Sequence, residues 1–152
     1  MIIQTSRFGS LEVDSDRLMT FPKGLLGFPE SKQYALVQTG ENSGFYWLQA
    51  VDCAELAFVV CDPRLFVPEY RIPIKADDLV HLGVDDIESA QVFVIVNRAD
   101  DHLTGNLQGP LLINVQTRVG YQLVLSDRRY TTRHRLMDLP RTEGRAVVSK
   151  TA

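Results

Sequence analysis

The spacing of the apolar runs restricts the fold of this chain more than any other feature of its sequence. Short stretches rich in Val, Ile, Leu, Phe and Tyr recur along its length, each cut off by Gly, Pro, Asn or Asp, the pattern of successive strands. Candidate strands fall at 2–5, 8–13, 17–21, 34–38, 45–51, 56–61, 91–97, 103–107, 110–116 and 119–125. A parallel pair needs a crossover of a dozen or more residues, usually a helix, and most of these gaps are far shorter. The expected fold is therefore all-β and mainly antiparallel. At 152 residues and 45% hydrophobic, the chain can bury one core of ordinary size. Closure would protect the edges of so β-rich a sheet, which favours a small closed β-barrel-like domain over 1–139.

Two runs locate its centre. Ala57-Phe58-Val59-Val60-Cys61 and Val92-Phe93-Val94-Ile95-Val96 lack polar alternation and should be covered on both faces, whereas Leu11 and Val13, flanked by polar residues, should be half exposed. One or two short helices interrupt the β rhythm. The clearer spans 75–83, with Asp77 as cap, Leu79, Val80 and Leu82 as apolar residues, and Gly83 as the stop. A helical turn is expected over 133–139, ended by Pro140. Residues 140–152 show no apolar period and read as a mobile tail.

Signals for chemistry are absent. His81, His102 and His134 lie far apart, and none has a second His or Cys at a metal-ligand spacing. There is no G-x-S-x-G elbow, no phosphate loop and no dinucleotide fingerprint. Asp77-Asp78, Asp85-Asp86 and Asp100-Asp101 read as caps and turn residues, because catalytic carboxylates need differing environments. Cys53 and Cys61 both sit in segments that look buried and are expected to be reduced core thiols. The expectation is a protein with no cofactor, no metal and no catalysis.

The charge is uneven. Residues 1–127 carry nine basic against seventeen acidic side chains, a net of −8, while residues 128–152 carry seven against two, a net of +5. An acidic body can simply serve solubility, or it can attract a basic partner. Arg128, Arg129, Arg133, His134 and Arg135, beside Tyr130, leave RNA binding through 128–135 open as an alternative, although the body would repel phosphates. The N-terminus lacks the basic start and apolar run of a signal peptide, and no apolar stretch approaches the roughly 20 residues that span a bilayer. A soluble, cytoplasmic protein without membrane contact is expected.

Six local sequences are too particular to be strand filler. They are Phe21-Pro22-Lys23-Gly24-Leu25-Leu26-Gly27-Phe28; Phe45-Tyr46-Trp47-Leu48-Gln49; Leu56-Ala57-Phe58-Val59-Val60-Cys61-Asp62-Pro63; Phe66-Val67-Pro68-Glu69-Tyr70; Asn106-Leu107-Gln108-Gly109-Pro110-Leu111-Leu112-Ile113-Asn114; and Gly120-Tyr121-Gln122-Leu123-Val124-Leu125. In this order and spacing, from about residue 2 to about residue 136, they resemble the FliW family of flagellar assembly factors. Each also has a plain structural reading: Gly24 and Gly27 permit a tight backbone path, Asp62-Pro63 starts a turn, and Asn106 and Asn114 bracket a turn at Gly109-Pro110. Gly109 departs from the small, Ala-like residue expected at its place.

The resemblance implies a β-barrel-like, non-catalytic protein that antagonises the translational repressor CsrA and also binds flagellin. Free flagellin would occupy the protein and leave CsrA to repress flagellin translation; once flagellin is secreted, the released factor would bind CsrA and lift that repression. Partner contacts are expected around Tyr70, Asn106, Pro110, Asn114 and Gln122. A small-ligand-binding or enzymatic barrel, whose pocket residues converge only on folding, is the competing reading from a different class.

Overall fold

In the computed structural model, which describes residues 1–39 and 44–140, the two uninterrupted apolar runs lie side by side. They belong to β6 (Ala57–Cys61) and β7 (Ala90–Arg98), which pair antiparallel through Val59–Val96, Val60–Ile95 and Cys61–Val94. On the other side of β6, β5 (Phe45–Ala50), β4 (Gln33–Val37) and β3 (Met19–Thr20) continue an antiparallel meander. A hairpin of β1 (Ile2–Thr5) and β2 (Gly9–Glu12) forms a separate sheet. It packs through Ile3 against Leu18 and Ala35, with Leu11 and Val13 half-buried as expected.

The nine-residue β7 divides its outer edge between two partners. Residues 90–93 pair with β9 (Leu111–Asn114), and residues 96–98 pair with β8 (His102–Gly105). Between β8 and β9 the chain leaves the ladder over 106–110, so the sheet forks. One branch ends in β10 (Gly120–Gln122) and the other in β11 (His134–Asp138). The first branch curls until it meets the far edge: Thr20 and Val119 form a parallel bridge, and the Thr20 N–H donates to the Arg118 carbonyl at 2.9 Å. The expected barrel-like, mainly antiparallel fold is present as one curled sheet sealed by this bridge.

Alternation fills its inside. Phe21, Tyr34, Leu48, Val60, Leu111 and Ile113 pack together, each about fully buried. A second cluster, including Cys61, Val67, Tyr70, Leu107 and Tyr130, lies beneath the fork. The helix α1 (Ala76–Leu82) is seven residues long, too short to persist alone. Leu82, its buried residue, holds it against Val92 and Leu112. Gly83 then ends it in the left-handed conformation (φ 78°), as the sequence predicts.

Four expectations need correction. The helical turn over 133–139 is strand β11, because the edge of β8 offers backbone partners that a lone turn lacks; Leu136 forms a bulge there and lies over Gly105. The α1 cap is the carboxylate of Asp78, not of Asp77: it accepts from the Lys75 N–H at 3.1 Å. Cys53 is exposed, since it stands in the turn after β5 and only Cys61 lies on a strand. Asn106 borders the Gly109-Pro110 turn as expected, but Asn114 does not close it: it is the last residue of β9. The expected tail begins at Pro140, the last described residue, and its remainder lies outside the described residues.

Candidate partner-binding surface

Four of the five residues singled out in the sequence meet at the fork. Tyr70, 2% exposed, donates its hydroxyl to the Leu107 carbonyl at 2.6 Å and meets the Tyr130 ring edge-on at 4.7 Å. Burial, and then the neighbouring Tyr130, raises its phenol well above the ordinary value. Asn106 caps the 106–110 turn by accepting from the Gln108 N–H at 3.1 Å. Buried Pro110 accepts the Leu123 N–H at 2.9 Å. Gln122 spans two loops: its Oε1 accepts from the Leu26 N–H at 2.8 Å and its Nε2 donates to the Gly109 carbonyl at 3.0 Å.

The departure at Gly109 has a steric reason. A Cβ there would lie 2.9 Å from Asn106 Nδ2 and 3.0 Å from Gln122 Nε2, so alanine would press on both side chains that shape the turn. Gly24 is constrained differently. Its φ is 67°, and a Cβ would lie 2.6 Å from the Phe28 carbonyl oxygen.

Asn114 stands at the far end of β9 and is 6% exposed. Its Nδ2 donates to the carbonyls of Leu82 at 3.0 Å and Gly83 at 3.4 Å, while its Oδ1 accepts from the N–H groups of Gln116 and Thr117. One side chain thus satisfies the orphan carbonyls at the end of α1 and the turn after β9. All five residues set the positions of surface loops.

The surface itself lies beside them. A cleft of about 190 Å³ opens between α1, β10 and Lys23, with His81, Leu112 and Tyr121 among its walls. His81 donates its Nδ1–H to the Asp77 carbonyl at 2.7 Å and meets the Tyr121 ring edge-on. The segments that border the cleft also carry exposed apolar side chains: Val80 on α1 (76%), Leu26 in the Gly24 loop (61%) and Val124 just beyond β10 (68%). The sequence reading groups Val80 with Leu79 and Leu82 as the apolar residues of this helix. Two helical positions turn about 200°, which puts Val80 opposite Leu82 and out toward solvent.

Carboxylates dominate the same segment. Residues 75–89 carry Asp77, Asp78, Asp85, Asp86 and Glu88 against Lys75. The basic cluster of 128–135 is partly neutralised by contrast. Arg129 pairs with Asp127 and lies 5.4 Å from the Tyr130 ring centre, and Arg135 pairs with Asp138. Hydrogen bonding from Arg129 holds the Asp127 carboxyl below its usual range. Among the described residues, no group of three or more His, Cys, Asp or Glu side chains is placed to hold a metal ion, and no helix is long and apolar enough to cross a membrane.

Comparison with known proteins places this architecture. Residues 2–136 match the family model for FliW protein. The chain is 37% identical over 139 residues to the flagellar assembly factor FliW of Leptospira interrogans, covering 90% of this chain and 93% of that one. It is 40% identical over 139 residues to the counterpart in Moorella thermoacetica, covering 90% and 88%. It is 36% identical over 151 residues to that of Natranaerobius thermophilus, covering 97% and 100%. A crystal structure of the flagellar assembly factor FliW superposes with a TM-score of 0.81 at 35% identity, over 90% of this chain and 97% of the other.

Proposed function

This chain belongs to the FliW family, and from that premise we propose that it is a non-catalytic, cytoplasmic flagellar assembly factor that switches between two protein partners. One partner is the translational repressor CsrA, whose repression of flagellin translation it relieves. The other is flagellin, which competes for it. The observation that carries the reading is the acidic segment 75–89, with five carboxylates and the exposed Val80 of α1, on a chain that also exposes Leu26 and Val124.

Such a surface suits a basic partner. A protein that binds RNA presents positive charge, and an acidic ledge speeds its encounter with this chain and opposes RNA at the same place. Exposed apolar side chains then supply the contact that charge alone does not. Asn114 fixes α1, and Gln122 fixes the Gly24 loop, so these residues act by presenting this surface.

The test is co-purification of the intact chain from a flagellated host. A CsrA-like protein and flagellin should both be recovered, the first in falling amount as salt rises. Recovery of neither by the folded protein would overturn the proposal.

A further inference from the structure

At the open end of the curled sheet lies a second cavity that shares no lining residue with the cleft beside α1. Its volume is about 350 Å³, within the range of roughly 300–1,000 Å³ typical of small-ligand sites. The floor is apolar, built from Met19, Leu36, Tyr46, Phe93 and Ile113 on five different strands. Among the described residues, Arg17 and Arg118 line it together with one carboxylate, Asp62.

Three independent features single out Arg118. Its backbone is in the left-handed region (φ 64°), where glycine or asparagine would sit with less strain. Its carbonyl accepts the hydrogen bond that seals the curled sheet, from the Thr20 N–H. And of its guanidinium donors, Nη2 reaches the Arg17 carbonyl at 2.9 Å, while Nε is buried with no partner among the described residues. A seam alone would be served by glycine. An arginine there points to a use for the side chain, and a buried donor left unpaired is a cost that an incoming acceptor removes.

Charge and shape narrow the acceptor. Among the described residues, neither Arg17 nor Arg118 forms an ion pair, and Asp62 uses one oxygen to accept from the Arg64 N–H at 2.9 Å. Among the described lining residues, two cations against one carboxylate favour a single negative charge over a dianion. The planar fork of a guanidinium matches a carboxylate, and the aromatic floor matches an apolar body. We propose that this cavity binds a compact monocarboxylate with an apolar body, its carboxylate on Arg118 and Arg17 and its body on Tyr46 and Phe93. Arg118 is half-buried, so the ligand meets the exposed part of the side chain and draws Nε into the pair as the guanidinium turns.

The test is an ¹⁵N NMR titration of the full chain with 3-phenylpropanoate, beside its neutral amide and acetate. Saturable shifts should appear at Gln91, Phe93, Ile113 and Arg118, and the amide and acetate should each bind at least about tenfold more weakly. Arg118→Gly keeps the turn and should lose at least about tenfold in affinity at an unchanged or higher melting temperature; if it fails to fold, Arg17→Gln reports instead. Equal binding of the amide, shifts scattered over the surface, or an undiminished affinity in the variants would overturn the proposal. The peptide Gly-Gly-Phe with a free or amidated terminus separates the sources. Tighter binding of the free peptide than of phenylpropanoate assigns a chain terminus, and the reverse assigns a small acid, each supporting the carboxylate site.

Discussion

The fork between β8 and β9 and the surface around α1 use polar side chains in opposite ways. At the fork, Tyr70, Asn106, Gln108 and Gln122 each bond to another part of the chain, and the apolar neighbours are buried. Around α1, Asp77, Asp85, Asp86 and Glu88 are exposed and Val80 is uncovered. The difference separates two jobs. Satisfied buried polar groups specify a unique arrangement of loops, whereas an acidic surface with exposed apolar side chains is available to a partner. Substitutions at the fork should therefore act on stability first, and those on the ledge should act on association alone.

The largest effect is expected at Tyr70. Tyr70→Ala removes a fully buried ring from the cluster beneath the fork and should cost about 3–5 kcal/mol in urea unfolding. Tyr70→Phe keeps the ring and leaves the Leu107 carbonyl without its donor, so about 1–2 kcal/mol should be lost. A loss below 1 kcal/mol for the alanine variant would remove the fork's structural role.

Alkali should find the same region. Burial, and then Asp62, pushes the Cys61 thiol up to about 12 from its ordinary 9.0, and Tyr70 is raised in the same direction. A raised folded-state value means that the contribution is complete below the ordinary value and is lost as pH climbs toward the folded one. Stability should therefore fall between about pH 9 and pH 12, by about 4 kcal/mol from Cys61 alone. Urea midpoints measured across that interval check it, and Cys61→Ala should flatten the slope. A midpoint that stays level from pH 9 to 12 would contradict it.

Asn114 joins the two regions. Asn114→Ala leaves the Leu82 carbonyl and the Gln116 and Thr117 N–H groups unpaired, which should cost about 2 kcal/mol. Because those bonds seat the end of α1, faster amide exchange over 76–83 should accompany the loss, with the 106–110 turn unaffected. Uniform change across both would show that the regions are not separable.

Much of this was legible in the sequence, and what was hidden has a common cause. Local patterns located the strands from β1 to β10 because each carries its own apolar run and turn residues. The fork was invisible, since it depends on β7 serving two partners along one edge, and β11 exists only because β8 offers it an edge. The six motif blocks drew attention to Tyr70, Asn106, Pro110, Asn114 and Gln122. Their hydrogen bonds show that particular sequences are needed where loops must be held, which is a structural demand before it is a recognition one. Residues of the exposed surface need only be uncovered, and Val80 could have been found from its angle to Leu82. Arg118 gave no sequence signal, because its left-handed backbone and buried Nε appear only once the barrel seam forms.

The smallest effect on stability, and the most telling one for recognition, is expected on the ledge. Asp85→Asn with Asp86→Asn removes two exposed charges that make no ion pair among the described residues, so the unfolding free energy should move by no more than about 0.5 kcal/mol. Association with a CsrA-like protein should slow severalfold at low salt and lose part of its salt dependence, as measured by surface plasmon resonance, because long-range attraction acts on encounter. Asp14→Asn with Asp16→Asn changes the net charge equally beside the β1–β2 hairpin. If that pair slows association as much as the ledge pair does, the acidic body acts through total charge alone, and α1 is no more the docking face than any other part of the surface.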